Sequence, residues 1–156
     1  MDTVLLLDVL EHLPQPEQAL AEASRVLRPG GNCLIHVPFL YPLHDEPHDY
    51  QRWTGHGLER MLTRHGFQVT ETTPSTNPAE TGASLFCIAL AKGLLDVLRR
   101  KSPILLLAPL ILACIPAINI GGWLLGKLLP SSTIMPSGYL CLGRKISEQD
   151  ETRIHG

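Results

Sequence analysis

Residues 4–39 read VLLLDVLEHLPQPEQALAEASRVLRPGGNCLIHVPF, and the fold turns on how this stretch is parsed. Val4 to Leu7 is a short apolar run of the kind that forms a strand buried on both faces. The ionisable side chains Asp8, Glu11 and His12 follow it closely. Pro14 and Pro16 end the strand, and Pro16 suits the first turn of a helix. Leu20, Ala23, Val26 and Leu27 then recur at helical spacing. Glu17 comes early and Arg25 and Arg28 come late, as the helix dipole favours. Pro29-Gly30-Gly31 stops the helix. A second apolar run, Cys33 to Val37, follows. A helix between two apolar strands implies a right-handed crossover and a parallel sheet.

Beyond Phe39 the sequence turns polar. Prolines and the cluster His44, Asp45, Glu46, His48, Asp49 and Arg52 mark a loop. Thr54 is a good N-cap for a helix over residues 55–65, with Leu58, Met61 and Leu62 on its apolar face and Gly66 at its end. Residues 67–72 alternate as a third strand, Phe67 and Val69 inward. Residues 73–80 read as a linker rich in Thr, Pro and Ser.

The composition then shifts. Residues 85–100 have a helical pattern with Lys92, Asp96, Arg99 and Arg100 on one narrow face. A membrane-surface helix and an ordinary packed helix both fit that pattern. Residues 104–126 hold no charged side chain and, as helix, would run roughly 35 Å, enough to cross a bilayer. Arg99, Arg100 and Lys101 precede them, as on a cytoplasmic flank. Pro109, Pro116 and Gly121-Gly122 interrupt them and offer a bend. Residues 138–145, GYLCLGRK, read as a last strand, and residues 146–156 as a flexible tail.

With these pieces in order, the chain resembles the C-terminal half of a class I S-adenosylmethionine (SAM)-dependent methyltransferase of the small-molecule type. The resemblance rests on LEHL from Leu10, RVLRPGG from Arg25, VPF from Val37, HDEPHDYQRWT from His44 and GLERMLTRHGF from Gly57. It covers residues 2–69 and resumes at 138–145. It implies an α/β fold: part of a Rossmann-like methyltransferase sheet, with parallel strands and one antiparallel last strand, interrupted by an apolar helical insert. The expected layout is the C-terminal half of a methyltransferase domain over 1–74, the insert over 75–137, the last strand over 138–145 and the tail beyond. The family's Gly-rich loop has no counterpart here, because no G-x-G-x-G occurs. An upstream segment or partner chain completing the sheet is therefore expected, and the lone chain is not expected to hold SAM tightly.

The resemblance also implies roles. Asp8, Val9 and Leu10 would approach the cofactor. Glu11 and His12 would face the acceptor, His12 as the base, since imidazole titrates near neutrality. His44, His48, Asp49 and Arg52 would form a lid over the acceptor, with Arg52 either pairing with Asp49 or gripping an acidic group as a fork. His36 reads as a satisfied sheet residue and Trp53 as packing. No metal ligand is assigned. A divalent metal at Asp8-x-x-Glu11-His12 is the minor reading, by likeness to ubiquinone-pathway O-methyltransferases.

Composition narrows the partners. A formal net charge of −2 gives no reason to expect a nucleic-acid partner. Cys33, Cys87, Cys114 and Cys141 are scattered without a C-x-x-C pair, which favours free thiols in a reducing compartment. The long uncharged run would emerge at the sheet edge that carries the Glu11-His12 turn. That arrangement points to a small or lipid-like acceptor at the cytoplasmic face of a membrane. A second reading is a non-catalytic, truncated remnant or membrane-associated subunit.

Overall fold

A computed structural model describes residues 1–130 and 132–147. It divides into two compact units, Met1–Ser75 with the chain from Ser137 onward, and Thr76–Pro136.

The first unit is a sheet of four strands with helices packed on it. β1 (Thr3–Leu7) leads through α1 (Pro16–Val26) to β2 (Asn32–Pro38), and α2 (Gly55–Arg64) leads to β3 (Phe67–Pro74). The last strand, β4 (Gly138–Lys145), inserts between β2 and β3, giving the order β1-β2-β4-β3. β1 and β2 are parallel, with Leu7 opposite His36. β4 runs antiparallel to both neighbours, with Ile35 opposite Cys141. This is the mixed sheet that the resemblance implied, with the final strand reversed.

Local chemistry sets these elements. Pro16 and Glu17 occupy the first turn of α1, and Arg25 its last. Leu20, Ala23 and Leu27 are buried against the sheet. Gly30 then takes φ +74°, a left-handed conformation that suits glycine at a helix end. Thr54 caps α2 by accepting a hydrogen bond from the Gly57 N–H at 3.1 Å. Leu58, Met61 and Leu62 join Cys33, Ile35, Val37, Phe67 and Cys141 in one core. Fully burying a side chain such as Leu58 or Phe67 stabilises the fold by about 1.5–3 kcal/mol. β3 bulges between Val69 and Glu71, where the Thr70 hydroxyl donates to the Leu142 carbonyl at 3.0 Å.

Two expectations for this unit need correction. β1 is not buried on both faces: Leu5 and Leu7 are 59% and 47% exposed. The physical reason is which face is covered: Val4 and Leu6 pack on the core beside Cys33 and Ile35, whereas Leu5 and Leu7 share the other face with Leu34 and His36 of β2, which are themselves only half-buried. β3 also runs past Thr72 to Pro74, because β4 pairs with it to the end.

The second unit is a helical hairpin. α3 (Pro78–Arg99) starts inside the stretch expected to be a linker. Asn77 and Glu80 close a reciprocal capping box there, with the Glu80 N–H to Asn77 Oδ1 at 2.9 Å and the Asn77 N–H to Glu80 Oε2 at 3.2 Å. A 3-10 turn over Pro103–Leu107 leads into α4 (Ala108–Leu128). The helices are antiparallel: Gly122 faces Ala79 and Ala83, while the Cys87 thiol donates to the Ile115 carbonyl at 3.4 Å. The expected bend at Pro116 or Gly121-Gly122 is absent. Pro116 lies within continuous helix. The chain reverses instead between α3 and the 3-10 turn, where Lys101 takes φ +51°. Gly122 allows close packing, since a Cβ there would collide with the Ala83 methyl.

Candidate functional site

The first unit gathers its chemistry where β1 and β2 end. Asp8 leaves β1 with φ +52°, and its N–H donates to the His36 carbonyl at 3.1 Å. A 3-10 turn over Leu10–His12 follows. Leu10 is fully buried and anchors this turn in the core. The loop 39–54 folds over the turn, tied by the Tyr50 N–H to the Glu11 carbonyl at 2.9 Å.

Glu11 is the unusual residue. Its side chain is fully buried, and among the described residues neither carboxyl oxygen has a hydrogen-bond partner. Burial pushes this carboxyl up from its ordinary value, and the nearby Asp8 charge adds to the shift. Two imidazoles approach it. His12 Nε2 is 3.8 Å and His44 Nε2 is 3.9 Å from Glu11 Oε1. The rings meet edge to face with centroids 4.8 Å apart.

The far nitrogens of both rings are engaged. His12 Nδ1 is 2.9 Å from the His48 carbonyl, which can only accept, so Nδ1 carries the proton. His44 Nδ1 lies 3.2 Å from the Pro42 carbonyl and 3.2 Å from Asp49 Oδ2, which sets the same tautomer. With Nδ1 so engaged, Nε2 is the nitrogen that carries the lone pair in the neutral form of each ring. Asp49 is itself fixed: its side chain is 1% exposed and bound by the Arg52 fork, with Nη2 to Oδ2 at 2.7 Å. The Arg52 guanidinium holds the Asp49 carboxyl well below the usual carboxylate range.

A pocket of about 390 Å³ opens beside this cluster, lined by Asp8, His12, His36, Pro38, Tyr41, His44, Asp45 and Ser137. The structure thus brings Asp8, His12 and His44 to one cavity, with Glu11 behind the imidazoles. Leu10 offers its backbone there at most, because its side chain is core. Val9 is 37% exposed and does not border the pocket. His48 turns its ring to the Tyr50 hydroxyl at 2.9 Å. Arg52 takes the first of the two roles left open for it: its fork is spent on Asp49 and on the Pro42 and Gln51 carbonyls. Trp53 packs against the core.

His36 bonds at both nitrogens, to Asp8 Oδ1 at 2.7 Å and to Ser75 Oγ at 2.8 Å. It is satisfied, as expected of a sheet residue, yet it also walls the pocket. Tyr41 and Ser137 were not singled out from sequence. The register could have signalled His36, since it lies opposite the last residue of β1.

A family model described as a methyltransferase domain matches residues 1–35. An uncharacterized 37.1 kDa protein in transposon TN4556 of Streptomyces fradiae is 35% identical over an alignment of 85 residues, with 44% of this chain and 25% of that protein covered. Among solved structures, the cyclase SpnF superposes with a TM-score of 0.54 at 16% identity, covering 94% of this chain and 50% of that one. A cyclopropane synthase of Mycobacterium tuberculosis gives 0.52 at 15% identity, covering 93% and 55%. A mycolic acid cyclopropane synthase solved with SAH and CTAB gives 0.52 at 13% identity, covering 93% and 55%. The chain spans about half the length of these solved proteins, and at such identities the likeness is one of fold.

Proposed function

We propose that this chain, which carries the fold of class I SAM-dependent methyltransferases, forms the acceptor side of a methyl-transfer site. One observation carries the reading. The pocket holding Asp8, His12 and His44 opens where parallel strands β1 and β2 end, the edge at which open α/β sheets bind ligands. SAM, when bound, supplies the methyl group as a sulfonium. In this reading Asp8, which borders the pocket, would meet the methionine end of such a cofactor. The chain offers no G-x-G-x-G loop for the remainder. The free edge of β1, with Leu5 and Leu7 exposed, is suited to pair with a further strand that would bring one.

The acceptor is read as a small, apolar or lipid-like molecule. His12 and His44 meet its polar end, and Tyr41 and Pro38 offer apolar walls. The hairpin supports placement at a bilayer. α3 spans 22 residues and Pro103–Leu128 spans 26, and both are long and apolar enough to cross a membrane. Leu106, Leu110 and Leu112 of the second helix are exposed, and Gly122 is the one residue of α4 that is buried. Lys92, its partner Asp96 at 2.8 Å, and the Arg99-Arg100-Lys101 turn put charge at the hairpin tip. That favours lying along the headgroups over carrying the tip across.

Calorimetry tests the cofactor reading. The chain alone should show no saturable SAM binding at micromolar concentrations. The same chain with a Gly-rich strand-turn-helix segment joined before Met1 should bind. No binding to the extended chain would remove the proposal.

A further inference from the structure

We infer that Glu11, His12 and His44 bind a divalent first-row metal ion of the zinc type, with an open coordination position facing the pocket. Among the described residues, these three bring a carboxylate oxygen and two imidazole nitrogens within 4.8 Å of one another. The minor sequence reading used Asp8 as a ligand. In the structure Asp8 is turned to His36, and the third ligand comes from His44, in a loop distant in sequence.

The case rests on three independent features. The first is the orphaned carboxylate. Both Glu11 oxygens are buried without a partner, an arrangement that costs about 1–3 kcal/mol per group, and more for a charged one, unless something fills it. The second is tautomer. Each ring turns its Nδ1 to an acceptor of the chain, so in the neutral rings the Nε2 lone pairs are the ones turned toward that carboxylate, free for an ion. Ligating histidines are oriented in this way, by an outer carbonyl or carboxylate on the far nitrogen. His44 has both, with Asp49 locked by Arg52. The third is spacing. Zinc bonds of about 2.0–2.1 Å in a tetrahedron set ligand atoms roughly 3.4 Å apart. Glu11 Oε1 is 3.8 and 3.9 Å from the two imidazole nitrogens, and all three ligand atoms lie within 4.8 Å, so binding an ion requires side-chain rotations that draw the atoms, the two imidazoles most of all, closer together.

The donor set selects the ion. Magnesium and calcium take oxygen ligands, whereas two imidazoles and one carboxylate suit zinc and its neighbours. Three protein ligands leave a tetrahedral ion one position for water or a substrate oxygen. Asp45, 3.9 Å from His12 Nε2 and 81% exposed, flanks that position from solvent. Ion binding is independent of the methyl-transfer reading. The placing of an acceptor oxygen on the ion rests on it, and His12 then serves as a ligand instead of taking the acceptor's proton.

The test uses the full chain in detergent, stripped of metal by chelator and titrated with zinc chloride by calorimetry. One equivalent should bind. His12→Gln and His44→Gln should each weaken binding at least tenfold while circular dichroism stays unchanged, and His56→Gln, at a fully exposed site, should leave affinity as it was. Cobalt(II) should give an intense tetrahedral visible spectrum that Glu11→Gln alters. Absence of a stoichiometric site, or a site that survives loss of both His12 and His44, overturns the inference. Neither outcome bears on SAM binding, so the two proposals fail separately.

Discussion

Arg52 shows how a residue's chemistry is decided by its neighbours. A loop arginine near a pocket reads as a fork for an acidic ligand, yet its hydrogen bonds go to Asp49 and to loop carbonyls. The result is a rigid support for His44, not a ligand contact. Cys33 makes the same point for a thiol. Burial, with the neighbouring Cys141 thiol adding to it, pushes Cys33 up from 9.0 to about 11. The folded chain therefore keeps a proton that the unfolded chain releases from pH 9 upward. Stability from this group is complete below that pH and is lost as pH climbs toward 11. The urea midpoint should fall over this window, and Cys33→Ala, although less stable overall, should show a shallower fall. An unchanged slope in the variant would contradict the assignment.

At the scale of elements, the hairpin depends on small residues at its crossing. Gly122 lies against Ala79 and Ala83, so the helices approach more closely than larger side chains allow. Close approach through small residues is how helices pack when lipid surrounds them. Gly122→Leu should force the helices apart and destabilise the pair by about 1–3 kcal/mol. Thermal far-UV dichroism in micelles should show an earlier transition. Gly121→Leu, at a position with open space around it, should melt near the parent temperature.

For the whole molecule, the balance is between a compact sheet unit and a hairpin with little core of its own. The chain leaves the sheet at Ser75 and returns at Ser137, and the Ser75 N–H donates to the Gly138 carbonyl at 3.0 Å. Both ends of the hairpin thus start from adjoining strand ends. On the proposed placement at a bilayer, the full chain should float with phosphatidylcholine vesicles, and more completely when anionic phosphatidylglycerol is added, because the turn Arg99-Arg100-Lys101 would then meet the headgroups. Leu106→Glu with Leu110→Glu should leave it in the dense fraction. Recovery of the parent chain only in the dense fraction, at low salt, would count against membrane contact.

The strand-helix-strand unit from β1 to β2 was legible because its signals are local: Pro16 starts the helix, Pro29-Gly30-Gly31 stops it, and apolar runs flank it. The reversed last strand followed from resemblance, and the register bears it out. The start of α3 was also written locally, in Asn77-Pro78 and Glu80, but threonines and prolines on either side masked it as a linker. Other features had no local signature. Whether a face of β1 is buried or exposed depends on what packs against that face of the sheet. Whether Pro116 bends a helix depends on the packing around it. The meeting of Glu11 and His12 with His44 depends on a loop closing over the turn, which only the tertiary fold brings about. Sequence determined which segments are strand and helix, because backbone propensity and periodicity act between near neighbours. The fold alone decided which charges are paired, which are orphaned and which nitrogens are free, because those depend on distances in space between residues far apart in the chain.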